Sequence, residues 1–222
     1  VEEMPTGEIS LAAGVGTSGS SIGGGVVEKN FLGKGINLTT NLEISESSVK
    51  GQFIYSKPNF AYTDNTLNTS LASTTTDNLT DFGYKVSETG FSVGTEFEQY
   101  ENLFFSPSTS ISIEDLETNS TASTNLKKQE GNYTDFYFKY GLNYDLRNSK
   151  YMTSSGNRTV FYQELPLISD GNEILNSVSF DQFKKISKNS DMVGKASFYF
   201  KAINSIDPDN DVRVSKRANV PY

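Results

Sequence analysis

The chain has 222 residues, a formal net charge of −8, 35% hydrophobic and 12% aromatic residues, and neither Cys nor His. Without Cys and His there can be no disulfides, thiol nucleophiles, Ser-His-Asp triads or common zinc sites. The acidic balance argues against a nucleic-acid partner, because phosphates are neutralised by clustered Lys and Arg. Few apolar residues combined with plentiful aromatics does not fit disorder, which is aromatic-poor. It does fit a barrel in which alternate residues face lipid and the lumen is polar.

Taken in order, residues 1–6 form a short acidic lead-in, with Pro5 interrupting any strand pairing. From Gly7 to Gly16 the chain alternates, with Ile9, Leu11, Ala13 and Val15 on one face and Glu8, Ser10, Ala12 and Gly14 on the other. Thr17-Ser18-Gly19-Ser20 has turn composition. A second strand over Ile22–Phe31 carries Gly23, Gly24 and Gly25, which permit close backbone approach or a sharp bend. Leu32-Gly33-Lys34-Gly35 turns the chain into a third strand, Ile36–Ile44, with clean alternation. Val49–Tyr55, Leu67–Thr75, Phe91–Glu98 and Leu103–Glu114 continue the pattern. Asp77–Ser87 reads as loop, and Leu116–Asn132 as a long exposed polar loop. Tyr133–Leu146 is the clearest strand: Phe136, Phe138, Tyr140, Leu142, Tyr144 and Leu146 oppose Asp135, Tyr137, Lys139, Gly141, Asn143 and Asp145. Its length meets the roughly 9–11 residues that cross a bilayer at a tilt. Arg158–Leu165, Leu175–Ile186 and Val193–Ala202 complete about eleven strands. Short turns are expected to alternate with longer loops, and no helix is expected. The fold class is therefore all-β, an antiparallel transmembrane β-barrel wall.

Two motifs offer competing chemistry. Gly14-Val15-Gly16-Thr17-Ser18-Gly19 matches the dinucleotide pattern G-x-G-x-x-G, which needs a helix at its third glycine. Ser20-Ser21-Ile22-Gly23-Gly24-Gly25 follows instead, and each glycine costs a helix about 1 kcal/mol relative to alanine. Asp207–Asp211 resembles the start of a calcium loop but lacks the glycine and closing glutamate, so a solvated acidic loop is expected. No nucleophile–base set stands out. The chain reads as a non-enzyme with no cofactor and no metal site.

Val1-Glu2-Glu3, Pro5-Thr6-Gly7, the glycine-rich first hairpin and Asn30-Phe31-Leu32-Gly33-Lys34-Gly35 together resemble BamA-type outer-membrane assembly factors, a POTRA-plus-barrel family. Pro58 lies in a turn similar to the family's Asn-Pro-aromatic turn, with Lys57 in place of Asn. Arg147 to Arg158, including Gly156, resembles a further family turn, with Thr153 where the family has Pro. The resemblance implies that residues 1–6 end a periplasmic POTRA region and that residues 7–222 supply about eleven of sixteen barrel strands. It also implies an Arg-Gly-Phe loop shortly after Tyr222, so the sequence reads as a segment of a longer precursor.

The implied function is folding and insertion of client β-barrels in the bacterial outer membrane. The implied partners are unfolded outer-membrane proteins, accessory lipoproteins and the lipid bilayer. In this family the first strand pairs poorly with the last, so a client strand adds at a lateral gate by β-augmentation. The corresponding template is Glu8, Ile9, Ser10, Leu11, Ala12, Ala13, Gly14, Val15 and Gly16, with Gly23, Gly24 and Gly25 softening the strand behind it. From composition alone, glycines that merely ease crowding in an ordinary seam fit equally well. A polypeptide-translocating relative, a passive porin-like channel and a soluble β-sandwich binding protein remain the alternatives.

Overall fold

The computed structural model describes residues 6–16, 19–187, 192–207 and 211–217. Eleven strands follow one another in a single antiparallel sheet: β1 Gly7–Gly16, β2 Gly19–Phe31, β3 Ile36–Ser45, β4 Ser48–Lys57, β5 Thr66–Asn78, β6 Tyr84–Tyr100, β7 Leu103–Thr118, β8 Gly131–Asp145, β9 Gly156–Ser169, β10 Glu173–Lys185 and β11 Val193–Ser205. Each strand pairs with its sequence neighbours, leaving β1 and β11 as the two free edges. The sheet curls, because residues of the 211–217 segment touch side chains on β6, β7, β8 and β10 at once. The concave side is the lumen.

Period-2 alternation explains the wall. On β8, Tyr137, Lys139 and Asn143 face the lumen and bond Glu173, Glu164 and Arg158 there. Phe138 and Tyr140 face outward, within an aromatic cluster that joins Phe97, Phe105 and Phe161 at centroid separations of 5.7 to 6.2 Å. These tilted and edge-on pairs match the ring quadrupoles and cover the outer wall with apolar surface. The facing assigned to this strand from its sequence is the one observed.

The ends of the sheet differ. The proximal end, where β1 begins, carries the connections 32–35, 58–65, 101–102, 146–155 and 186–192, and the distal end carries the others. At the first proximal turn, the Asn30 carbonyl accepts from Gly33 N–H at 2.9 Å and its side-chain oxygen accepts from Gly35 N–H at 2.7 Å. An asparagine that bonds its own downstream backbone fixes such a turn, which is why this motif can be read in the sequence.

Several expectations need correction. Long and short connections do not simply alternate, since 119–130 lies at the distal end and 146–155 at the proximal end. The supposed loop Asp77–Ser87 shrinks to 79–83, because β5 runs to Asn78 and β6 starts at Tyr84. Leu116 is not in an exposed loop: it lies in β7 and is 1% exposed. The polar stretch after it contains one helical turn, Thr124–Lys127, where none was expected; Ser123 Oγ caps it by accepting from Leu126 N–H. Of the two alternatives for the glycines of β2, the structure shows close approach: Gly23, Gly24 and Gly25 stay in register with both β1 and β3, and the irregularity lies between Glu28 and Phe31. The Val1–Pro5 lead-in, the Thr17-Ser18 turn and residues 208–210 of the acidic loop lie outside the described residues.

Candidate functional site

The first candidate site is the free edge of β1. Lys29 N–H donates to the Thr6 carbonyl at 3.1 Å, in the same register that pairs Gly7 with Glu28. In an antiparallel pair, opposed residues alternate between hydrogen-bonded and non-bonded positions. Thr6 therefore sets the parity: Glu8, Ser10, Ala12, Gly14 and Gly16 turn their backbone groups to β2. Gly7, Ile9, Leu11, Ala13 and Val15 turn theirs to the open edge. The nine residues expected from the sequence to form the template thus lie in one continuous strand with two alternating backbone orientations. The open-edge residues also carry the outward side chains, and Ile9, Leu11 and Val15 are 77%, 86% and 90% exposed.

Behind that edge the lumenal face is thin. Ser10, Ala12 and Gly14 sit opposite Gly25, Gly23 and Ser21, and a trough of about 740 Å³ opens over them, bounded by Asn41 and Lys50. Close approach requires glycine at Gly25, where a Cβ would stand 2.6 Å from Asn41 Oδ1 and 3.2 Å from the Thr40 carbonyl. Of the three glycines expected to soften the second strand, Gly25 lets the Asn41 and Ser10 side chains close over it and Gly24 does so for Leu11, whereas Gly23 faces only the backbone of β3. Among the remaining motif residues, Gly156 opens β9 at φ +98° and Arg158 donates from Nε to Asn143 Oδ1 at 2.9 Å in the lumen. Phe31 ends β2, Leu32, Gly33 and Gly35 form the proximal turn beside the start of β1, and Pro58 lies in the proximal connection after β4.

The second site was missed by sequence reasoning. Arg213, 3% exposed, lies in the lumen against Glu114 and Asp135, both 0% exposed, and Glu173. Its Nε donates to Glu173 Oε1 at 2.9 Å, and Nη2 donates to Glu173 Oε2 at 3.1 Å and to Asp135 Oδ2 at 2.5 Å. Nη1 stands 3.7 Å from Glu114 Oε1, and the guanidinium lies 4.5 Å from the centroid of the Tyr133 ring. One turn on, Ser215 Oγ donates to Glu114 Oε1 at 2.7 Å, and Lys216 Nζ reaches Glu88 Oε1 at 2.6 Å and Glu114 Oε2 at 3.5 Å. Gln129 from the 119–130 connection accepts Val214 N–H at 2.9 Å. Gly171 leaves room for the cluster, since a Cβ there would approach Arg213 Nε to 2.5 Å.

Burial alone would lower the Arg213 guanidinium, but its hydrogen bonds to Glu173 and Asp135 reverse that and hold it above its ordinary value. Planar, multidentate pairing suits arginine in such a place, where lysine would satisfy fewer oxygens. The cluster ties the 211–217 segment across the distal lumen. The signal that could have exposed it was the acidic residues at lumenal parity near the distal ends of β6, β7, β8 and β10, which a local reading does not bring together.

No curated protein sequence matches the chain. Its fold is similar to the crystal structure of BamA from Haemophilus ducreyi lacking POTRA domains 1–3, with a TM-score of 0.81 and 21% sequence identity. The match covers 97% of this chain and 44% of that one, so the chain spans less than half of the BamA it resembles. The model of the Omp85 superfamily domain matches residues 30–217, from the end of β2 through the Arg213 segment. The chain belongs to the Omp85 superfamily.

Proposed function

We propose that this chain forms the first strands of an outer-membrane factor that folds and inserts client β-barrels, with β1 as the template edge of a lateral gate. The observation that carries this reading is the parity of β1. Gly7, Ile9, Leu11, Ala13 and Val15 turn their backbone donors and acceptors away from β2 and their side chains outward, an orientation suited to strand addition at a bilayer. Small lumenal residues from Ser10 to Gly14 add little packing that a departing or arriving strand would have to break. Clients are unfolded outer-membrane proteins, and accessory lipoproteins of an assembly complex act alongside. Residues 1–6 end the periplasmic region, and the barrel wall begins at Gly7. No step calls for a cofactor or a catalytic side chain.

The segment docked across the lumen by Arg213 weighs against a passive pore, which would keep that passage open. A polypeptide-translocating relative would use the same lumen but has no need of a free outward edge.

The chain has no Cys, so single cysteines at Ile9, Leu11, Ala13 and Val15 of the full-length protein give a clean test. Each should form a disulfide with a cysteine scanned along the terminal strand of a stalled client, in a ladder of fixed register. Absence of any register, or equal trapping at Leu71 on the outer wall, would overturn the template role.

A further inference from the structure

At its distal end the first hairpin outruns the strand behind it. β3 stops at Ser45, opposite Ser21, whereas β2 reaches Gly19, so Gly19 and Ser20 overhang the third strand. Ser20 opposes Val15 at a position where β1 and β2 exchange no backbone bonds, so its N–H points to where a further β3 acceptor would stand. Glu46, the residue after β3, fills that place with its side chain. Its Oε1 accepts from Ser20 N–H and from the Ser20 hydroxyl, both at 3.0 Å. Gly19 fits around the same carboxylate: its φ is +98°, and a Cβ there would stand 2.5 Å from Glu46 Cδ and 2.7 and 2.8 Å from its two oxygens.

Such a bond matters here because the rest of β2 grips β3 weakly. Below Ser21 the lumenal positions of β2 are Gly23 and Gly25, and a glycine-rich strand specifies its pairing poorly. A hydrogen bond to an ionised acceptor is stronger than one between neutral groups. The bonds from Ser20 hold the Glu46 carboxyl below its ordinary value. The charged side chains on the adjoining strands are engaged elsewhere: Lys50 Nζ stands 3.8 Å from Glu43, and Asp77 Oδ1 accepts Leu79 N–H at 3.0 Å. We infer that Glu46 is a positioning residue for the first strand: it clamps the distal end of β2 to the β3–β4 connection, and so holds Ala13 and Val15 in one register at the open edge. The clamp itself needs no client, and its consequence for clients rests on the template role proposed above.

The test uses the full-length protein in nanodiscs. Glu46→Ala should cut amide-exchange protection several-fold at Ser20 and leave it unchanged at Lys29, whose N–H bonds the Thr6 carbonyl at the proximal end. A carboxyl with a lowered folded-state value loses its contribution as pH falls through that value. Protection at Ser20 should therefore drop below pH 4.5, the ordinary glutamate value, and Glu46→Gln should abolish that pH dependence. Gly19→Ala should reproduce the loss seen with Glu46→Ala, and the two together should cost less than their sum. With single cysteines set against a stalled client, Glu46→Ala should spread the trapping register at positions 13 and 15 and leave it fixed at position 9. Unchanged protection at Ser20 in Glu46→Ala, or a pH profile that Glu46→Gln retains, would overturn the clamp. Lost protection with a fixed register at 13 and 15 would overturn the positioning role. No trapping at 9, 11, 13 or 15 with Glu46 intact would overturn the template role and with it the consequence for clients, whereas the clamp stands or falls on protection at Ser20.

Discussion

The two lumenal regions of this wall are built from opposite materials. Along β1 and β2 the concave face is Ser10, Ala12, Gly14, Gly23 and Gly25, with open space above it and one strand edge unpaired. Across β6, β7, β8 and β10 the same face carries Glu88, Glu114, Asp135 and Glu173, closed over Arg213 and Lys216. The first region is held mainly by backbone ladders, which a competing strand can replace bond for bond. The second is held by desolvated ion pairs whose partners come from distant parts of the chain and have no ready substitute. Under the proposed template role, the specific tertiary contacts are concentrated away from the strand that would open.

The largest effect expected from this contrast follows removal of the buried cation. Arg213→Ala leaves Asp135, Glu114 and Glu173 facing one another without their main counter-ion, and breaking a buried pair costs about 3–5 kcal/mol. Denaturant titration of the full-length barrel should show a loss of that order, together with protease access to residues 206–217. Arg213→Lys should recover only part of it. A loss below about 1 kcal/mol, typical of surface pairs, would mean that the cluster is wet and the segment only loosely docked.

Next in size is the outer wall. Phe138→Arg should destabilise the inserted barrel by about 2–4 kcal/mol at the bilayer midplane, whereas Lys139→Arg, one residue away and lumenal, should be tolerated. Asn143 is a poorer lumenal control than strand parity alone indicates, because Arg158 already donates to it. Equal effects at 138 and 139 would refute the facing of β8.

A smaller effect concerns pH. Burial alone would lower the Lys216 ammonium, yet the attraction of Glu88 outweighs it and raises the group above its ordinary value. A cation with a raised folded-state value contributes its full stability below its unfolded value and loses it as pH rises through the folded one. The 211–217 segment should therefore remain docked on the Lys216 side through the ordinary lysine range and loosen only at more alkaline pH. Fluorescence from a label on Ser215 would follow it; release before pH 10.5, the ordinary lysine value, would contradict the assignment.

Local pattern was enough to find the parts of the wall that face lipid on one side and water on the other. Gly7–Gly16 and the faces of Tyr133–Leu146 were legible because alternation there is enforced by two different solvents. The reading failed where strands extend as hairpins with polar residues on both faces. Ser87, read as loop, bonds Thr75 through its hydroxyl at 3.2 Å, and Lys85 and Glu117, also read as loop, approach one another across β6 and β7. Those residues have loop composition and strand geometry. The Arg213 cluster was invisible for another reason: its members come from distant parts of the chain, Lys216 and Glu88 being 128 residues apart, and meet only because the sheet curls. The turn motifs Asn30–Gly35 and Gly156 were legible because each meets its backbone need locally.

The most direct test of the template claim uses the parity of β1 with single prolines, which remove one N–H each. Leu11→Pro and Ala13→Pro remove donors from the open edge, while Ala12→Pro removes a donor from the β1–β2 ladder. In the full-length protein, insertion of client barrels should fall sharply with proline at 11 or 13 while the protein itself remains folded in the membrane. Proline at 12 should first disturb the protein's own first hairpin, seen as loss of β1–β2 cross-links. Normal client insertion with proline at both 11 and 13 would contradict the account.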